Sequence, residues 1–122
     1  MKTKKELRAE YKEIKTRMGV FQIRNAANGQ IFVDVSKDLD AIWNRHSFSL
    51  RMGGHKNAAL QADWNHYGAE AFHFEVLSEI EVKETETTDY DRELKELGVL
   101  YLEELTPYDE RGYNKRPENR KI

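Results

Sequence analysis

Apolar and polar positions change period several times along the chain, and each change marks an element. Leu7, Tyr11, Ile14 and Met18 recur at helical spacing, so residues 3–17 read as an amphipathic helix with one apolar stripe. From Gly19 the period falls to two. Val20, Gln22 and Arg24 alternate with Phe21 and Ile23, and a second run, Ile31-Phe32-Val33-Asp34-Val35, follows Asn25 to Gln30. Asn28-Gly29 lies between the runs, and because both residues tolerate positive φ it predicts a β-hairpin. Phe21 and Phe32 should then sit on adjacent antiparallel strands with their rings close together. Ser36 or Asp38 can cap a helix carrying Leu39, Ile42, Trp43, His46 and Leu50, which Gly53-Gly54 stops. Trp43 reads as core. A short helix from Asn57 to His66 ends at Gly68, and Ala71 to Ile80 reads as a strand with Phe72, Phe74 and Val76 on one side. After the acidic loop Glu81 to Thr88, Thr88 with Asp91 three positions on signals a last helix bearing Leu94, Leu97, Tyr101 and Leu105, which stops before Pro107. Gly112-Tyr113-Asn114 reads as ordered, and Lys115 to Ile122 as a charged, frayed tail.

The 122 residues fit one domain. With 39% hydrophobic and 34% charged residues, the chain is expected to be globular with a heavily solvated surface. It has no cysteine, which excludes disulfides, Cys-type zinc sites and thiol nucleophiles. Met1 to Arg17 is charged throughout, so no secretory signal is expected there, and no stretch approaches the roughly 20 apolar residues of a membrane span. The expectation is a soluble, cytoplasmic protein with no membrane partner. A net charge of −2 means that any affinity for phosphate must come from local patches. The N-terminal lysines and arginines are one such patch, although a basic helix face is usually just solvated.

A hairpin, two helices, a third strand and a final helix make a small α/β (α+β) arrangement, on which no P-loop, dinucleotide turn or His-Glu-x-x-His motif falls. The more specific signal is a set of spacings: Gly19-Val20-Phe21 on the first strand, Phe32-Val33-Asp34 on the second, Trp43-Asn44-Arg45-His46 on the helix after it, His55 past the glycines and Gly112-Tyr113-Asn114 near the end. Together these resemble the GIY-YIG endonuclease family, particularly its homing-endonuclease-like branch, over about Met18 to Asn114. The chain then divides into an N-terminal helix (1–17), a GIY-YIG-like domain (18–114) and a charged tail (115–122).

The resemblance implies a three-stranded antiparallel sheet flanked by helices, and a metal-dependent nuclease that cleaves one DNA strand through a single divalent ion. It also implies catalytic positions, and several are substituted. Phe21 and Phe32 stand where the family has tyrosines, and phenylalanine has no hydroxyl to relay a proton or bind an oxyanion. Asp34 replaces a glycine, Ile42 the arginine that steadies the phosphate, and Gly98 the glutamate that holds the metal. His46, His55 and Asn114 survive. Taken alone, His46 reads as a core or boundary histidine, His55 as exposed and Asn114 as a turn residue.

Losing both hydroxyls, the arginine and the carboxylate removes terms each worth several kcal/mol in a transition state. The expectation is a degenerate nuclease-like domain without phosphodiester cleavage and without a cofactor, which retains a role in binding nucleic acid or protein. The alternative is an active metal-dependent DNA endonuclease with a rebuilt site, using Mg or Mn. Restoring the family residues at 21, 32, 42 and 98 should be needed jointly, because residues acting as one catalytic unit are non-additive. For weak DNA binding the candidates are Arg24, Arg45, Arg51, Lys56 and the N-terminal lysines. Asp34, His46 and His55 also make a sufficient ligand set for zinc or iron. The plainer reading has Asp34 capping the helix that begins near Asp38, or meeting solvent and repelling phosphate.

Overall fold

The two alternating runs form strands β1 (Met18–Asn25) and β2 (Ile31–Ser36), paired antiparallel. There follow helices α1 (Leu39–Arg51) and α2 (Ala58–Tyr67), a 3-10 turn (Ala69–Ala71), strand β3 (Phe72–Ile80) and helix α3 (Tyr90–Leu105). The computed structural model describes residues 17–81 and 90–116. The N-terminal helix expected up to residue 17, save Arg17 itself, the Thr88 capping signal and the end of the charged tail therefore lie outside the described residues. β3 joins the other edge of β1, giving the order β2-β1-β3, all antiparallel, as the resemblance implies. Among the described residues no helix is long and apolar enough to cross a membrane.

The hairpin differs in detail from the turn expected at Asn28-Gly29. Asn25 N–H donates to Gln30 O at 2.9 Å and Gly29 N–H to Asn25 O at 2.7 Å, so the loop holds four residues. Only Gly29 has a positive φ, 79°. Asn28 works through its side chain instead: its Oδ1 accepts from Gln30 N–H at 2.9 Å, and its Nδ2 donates to Gln30 and to Asp63.

Alternation splits the sheet into two faces. Phe21, Ile23, Phe72 and Phe74 turn to the side covered by α1 and α2, where they join Leu39, Leu50, Leu60, Trp64 and Tyr113 in one core. Trp43 is half-buried, stacked on Phe74 at 5.7 Å. On the other side Val20, Val33 and Val35 meet α3 through Leu94 and Gly98. β1 is buried on both faces because it is central. Gly19 lets β3 approach, since a Cβ there would overlap the Ser78 carbonyl oxygen.

β3 begins at Phe72, one residue later than its sequence suggests, because Ala71 is taken up by the 3-10 turn after Gly68. Phe72, Phe74 and Val76 share a side, but Val76 is 37% exposed on an edge strand. Pairing jumps from Phe21↔Val76 to Val20↔Ser78, leaving Leu77 as a bulge. The Tyr101 hydroxyl on α3 donates to the Leu77 carbonyl at 3.2 Å and so ties the bulge down.

Candidate nucleic-acid interface

The alternation that buries Phe21 and Ile23 puts Phe32 and Asp34 on the same face of the hairpin, because Phe21 pairs with Asp34 and Ile23 with Phe32. Helix α1 starts beside them. Of the two candidate caps Asp38 is the one used, its carboxylate accepting from Ala41 N–H at 3.2 Å, while Ser36 Oγ accepts from Asp38 N–H at 3.0 Å and so holds the turn before the cap. Ile42, Arg45, His46 and Ser49, spaced at helical intervals, then line a cleft against β2. Its volume is about 710 Å³, and His55, Lys56, Asn114 and Lys115 close its other side.

His46 occupies the centre. Its ring lies 5.6 Å from Phe21, 5.7 Å from Phe32 and 5.0 Å from His55. The two phenyl rings thus approach one another through an imidazole, which corrects the direct contact expected from strand pairing: the register places them diagonally. His55 is not simply exposed. Its N–H donates to Gln61 Oε1 at 3.0 Å, its Nδ1 accepts from Asn57 N–H at 3.0 Å, and its Nε2 lies 2.8 Å from His46 Nδ1. With Nδ1 an acceptor, a neutral His55 carries its proton on Nε2 and gives it to His46 Nδ1. His46 then holds its own proton on Nε2. Desolvation first, and then His55, lowers the pKa of His46 to about 4; desolvation lowers that of His55 as well, partly opposed by the Asn57 contact. Both rings are neutral at pH 7.

Asp34 and Asn114 have structural partners at the outer edge of β2. Ile31 N–H donates to Arg111 O at 3.1 Å and Ile31 O accepts from Tyr113 N–H at 2.9 Å. Two residues on, Asn114 serves as a one-residue strand: its Oδ1 accepts from Val33 N–H at 2.9 Å and its Nδ2 donates to Val33 O at 2.7 Å. Two further on, Val35 N–H donates to Asp34 Oδ1 at 2.8 Å. An edge strand offers its N–H row to any other chain, and here each is closed in turn. Asp34 is therefore not the cap of α1. Desolvation raises its pKa, against the lowering effect of the Val35 bond.

The four proposed basic contacts separate. Arg45 and Lys56 line the cleft, joined by Lys115 from the start of the charged tail. None of the three forms an ion pair among the described residues. Arg24 lies on the opposite face of the sheet, the side of Val20 and Gln22, with its Nε 2.7 Å from Glu75 Oε1, so it is no part of the cleft. Arg51 is six residues beyond Arg45, hence about 120° round the helix, and hydrogen-bonds Ser47 at 3.2 Å.

The metal readings do not fit the donor set. Among the described residues no three His, Asp or Glu side chains gather closely enough to hold an ion, which removes the Asp34, His46 and His55 alternative. The reason is chemical: the one free ring lone pair of His55, on Nδ1, accepts from Asn57, its Nε2–H is given to the Nδ1 lone pair of His46, and Asp34 Oδ1 is bonded to Val35. Gly98, where the resemblance implies the metal-holding glutamate, offers no donor. It lies buried on α3 beside Val35, where an added Cβ would come within 2.7 Å of Cγ1. It lines a second groove, of about 560 Å³, which shares Phe32, Asp34 and Asn114 with the cleft.

No protein-family model matches the chain. Over 62 residues, 51% of the chain, it is 36% identical to intron-associated endonuclease 1 of Enterobacteria phage T4. The catalytic domain of the homing endonuclease I-TevI has a TM-score of 0.67 to it and 28% identity, covering 82% of this chain and 99% of that domain. The chain is homologous to a GIY-YIG homing-endonuclease catalytic domain. A point variant of the I-TevI domain matches equally, with a TM-score of 0.67 over 81% of this chain and 93% of that one. The matched stretch spans a quarter, 25%, of the phage protein's length.

On this GIY-YIG fold Phe21, Phe32, His46 and His55 converge, Ile42 walls the cleft and Asn114 sits at its rim. Sequence reasoning missed Lys115, Ser49 and Asn57 in the cleft. It also missed a polar cluster behind it: the Tyr113 hydroxyl donates to Asp63 Oδ2 at 2.6 Å and accepts from Asn25 Nδ2 at 3.1 Å. Desolvation, reinforced by Asp63, pushes the Tyr113 pKa up to about 12. Asn25 is fully buried, and nothing in a lone asparagine at a strand end signals that.

Proposed function

We propose that this chain is a nucleic-acid-binding domain built on the GIY-YIG fold that does not cut phosphodiester bonds. The observation that carries this reading is the lining of the cleft: cations at the rim, aromatic rings without free acceptors inside, and a single carboxylate, Asp34, tied through Oδ1 to the Val35 N–H. Arg45, Lys56 and Lys115 are placed to hold phosphate oxygens, and the His46 Nε2–H is a further donor. Hydrolysis needs a group to take the proton of the attacking water and another to neutralise the leaving oxygen. Phe21 and Phe32 offer neither. The accessible nitrogen of His46 carries a proton rather than a lone pair, and Ile42 supplies no charge. Loss of one such group slows a reaction by factors of about a hundred to a thousand, and here several are missing together. The names of the similar proteins, both endonucleases, favour nucleic acid as the ligand class.

A plasmid-nicking assay with Mg or Mn, run beside a salt titration of DNA binding, tests this. The expected result is no nicking above a buffer control. Binding should weaken with salt along a log-log slope of about −2 to −3, as for two or three phosphate contacts. Nicking that disappears in His46→Ala would establish instead an active endonuclease with a rebuilt site. Absence of binding at 50 mM salt, about the low end of the useful range, would turn the cleft over to a protein partner.

A further inference from the structure

The outward side of α1 carries a pattern that the cleft does not use. Asn44, Arg45, Phe48, Arg51 and Met52 recur at the spacing of a single helical face, opposite the stripe of Leu39, Trp43, His46 and Leu50 that packs on the sheet. All five are exposed, Phe48 at 65% and Met52 at 71%. A lone exposed phenylalanine is ordinary. This one has arginines at both i−3 and i+3, so two guanidinium groups bracket the ring along about 9 Å of helix. The Ser47 bond at 3.2 Å steadies Arg51. The next most exposed apolar residue on a helix has the opposite setting: Leu100, 60% exposed on α3, has Glu96, Glu103 and Glu104 at its i−4, i+3 and i+4 positions. Carboxylates there repel phosphate, whereas the surroundings of Phe48 attract it.

We infer that this face of α1 is a binding site for single-stranded nucleic acid, with one unstacked base on the Phe48 ring and the flanking phosphates on Arg45 and Arg51. The inference rests on the nucleic-acid reading of the cleft and extends it. Arg45 lines the cleft and stands three residues before Phe48 on the helix, so a strand held by Lys56 and Lys115 can continue past Arg45 onto this face. A base face is available to an aromatic ring only when the base is unstacked, which selects single strands or gaps over intact duplex. Met52, one turn on from Phe48, extends the apolar platform.

The test compares the full chain with Phe48→Ala, Phe48→Leu and Phe48→Trp, by fluorescence anisotropy on one labelled 20-nucleotide strand, free and annealed to its complement, in low salt. For Phe48→Ala the expected result is about a tenfold loss of single-strand affinity with duplex affinity within about twofold. Phe48→Leu should lose as much, because it keeps the apolar volume but not the ring, and Phe48→Trp should bind as well as the parent. Melting temperatures should not move, since the side chain is exposed. An equal loss on both strand forms, full binding by the leucine variant, or conversion of a dimer to a monomer by Phe48→Ala in sedimentation would overturn the inference. If Arg45→Ala with Lys56→Ala abolishes binding while Phe48→Ala does not, only this inference fails. If the parent chain binds neither strand form, it fails together with the reading it rests on.

Discussion

Tyr113 and His46 are moved in opposite directions by the same cause. Desolvation pushes the phenol up to about 12 and the imidazole down to about 4, and in both cases the neutral form is the one favoured. What differs is how the neutral group is used. The Tyr113 hydroxyl spends its proton on Asp63 and a lone pair on Asn25, so its hydrogen bonding is closed within the fold. His46 spends only Nδ1 on His55 and keeps an N–H for the cleft. Asn57 serves both clusters, through its N–H to His55 and its Nδ2 to the Tyr113 carbonyl at 2.7 Å. Of two neighbouring polar groups joined by one residue, the closed one is structural and the open one is available to a ligand.

The contrast is most exposed to a change at Tyr113. Tyr113→Phe keeps the ring but leaves the buried Asn25 amide and Asp63 without their shared partner, which should cost about 1–3 kcal/mol and lower the melting temperature by roughly 4–10 °C. A thermal melt that does not move would show that the hydroxyl is dispensable to the fold. Next in size is the pH response of His46. Its folded pKa lies below its unfolded value of about 6.5, so between about pH 4 and 6.5 the unfolded chain binds more protons. The stability linked to this group is therefore complete above about pH 6.5 and is lost as the pH falls towards 4, amounting to about 2 kcal/mol once partial exposure is allowed for. Melting temperatures taken across that window should rise with pH, and should rise less steeply in His46→Gln. An unchanged slope in the variant would detach the pH response from the cleft. The smallest effect is expected at Asp34. Asp34→Gly removes a carboxylate from the cleft wall and should tighten low-salt DNA binding about two- to fivefold. Equal or weaker binding would place the nucleic acid elsewhere on the molecule.

These regions were not equally legible in the sequence. Alternation at 20–24 and 31–35, helical spacing from Leu39 to Leu50 and the stop at Gly53-Gly54 are local signals, and the strands and α1 appear where those signals lie. The convergence of Phe21, Phe32, His46 and His55 was also readable, because the resemblance fixed four segments at once. Less readable was anything decided by which face or edge a residue meets. Arg24 and Phe21 are three residues apart on one strand, yet opposite faces send one to Glu75 and the other to His46. Asn114 looked like a turn residue, and its partner Val33 lies 81 positions away. Lys115 has the composition of a tail but follows Asn114, which is anchored to the sheet, and is thereby carried to the rim of the cleft.

Val35 and Gly98 touch across the β2–α3 interface, and each fixes what the other is able to become. A side chain at position 98 has to enter space already filled by Val35 Cγ1, 2.7 Å from where its Cβ would sit. A carboxylate at position 98 therefore requires the Val35 side chain to give way, by rotation or by a smaller residue there. The joint restoration at positions 21, 32, 42 and 98 is thereby coupled to residue 35. A side chain at 98 alone carries the cost of displacing Val35, a cost that a smaller residue at 35 should relieve.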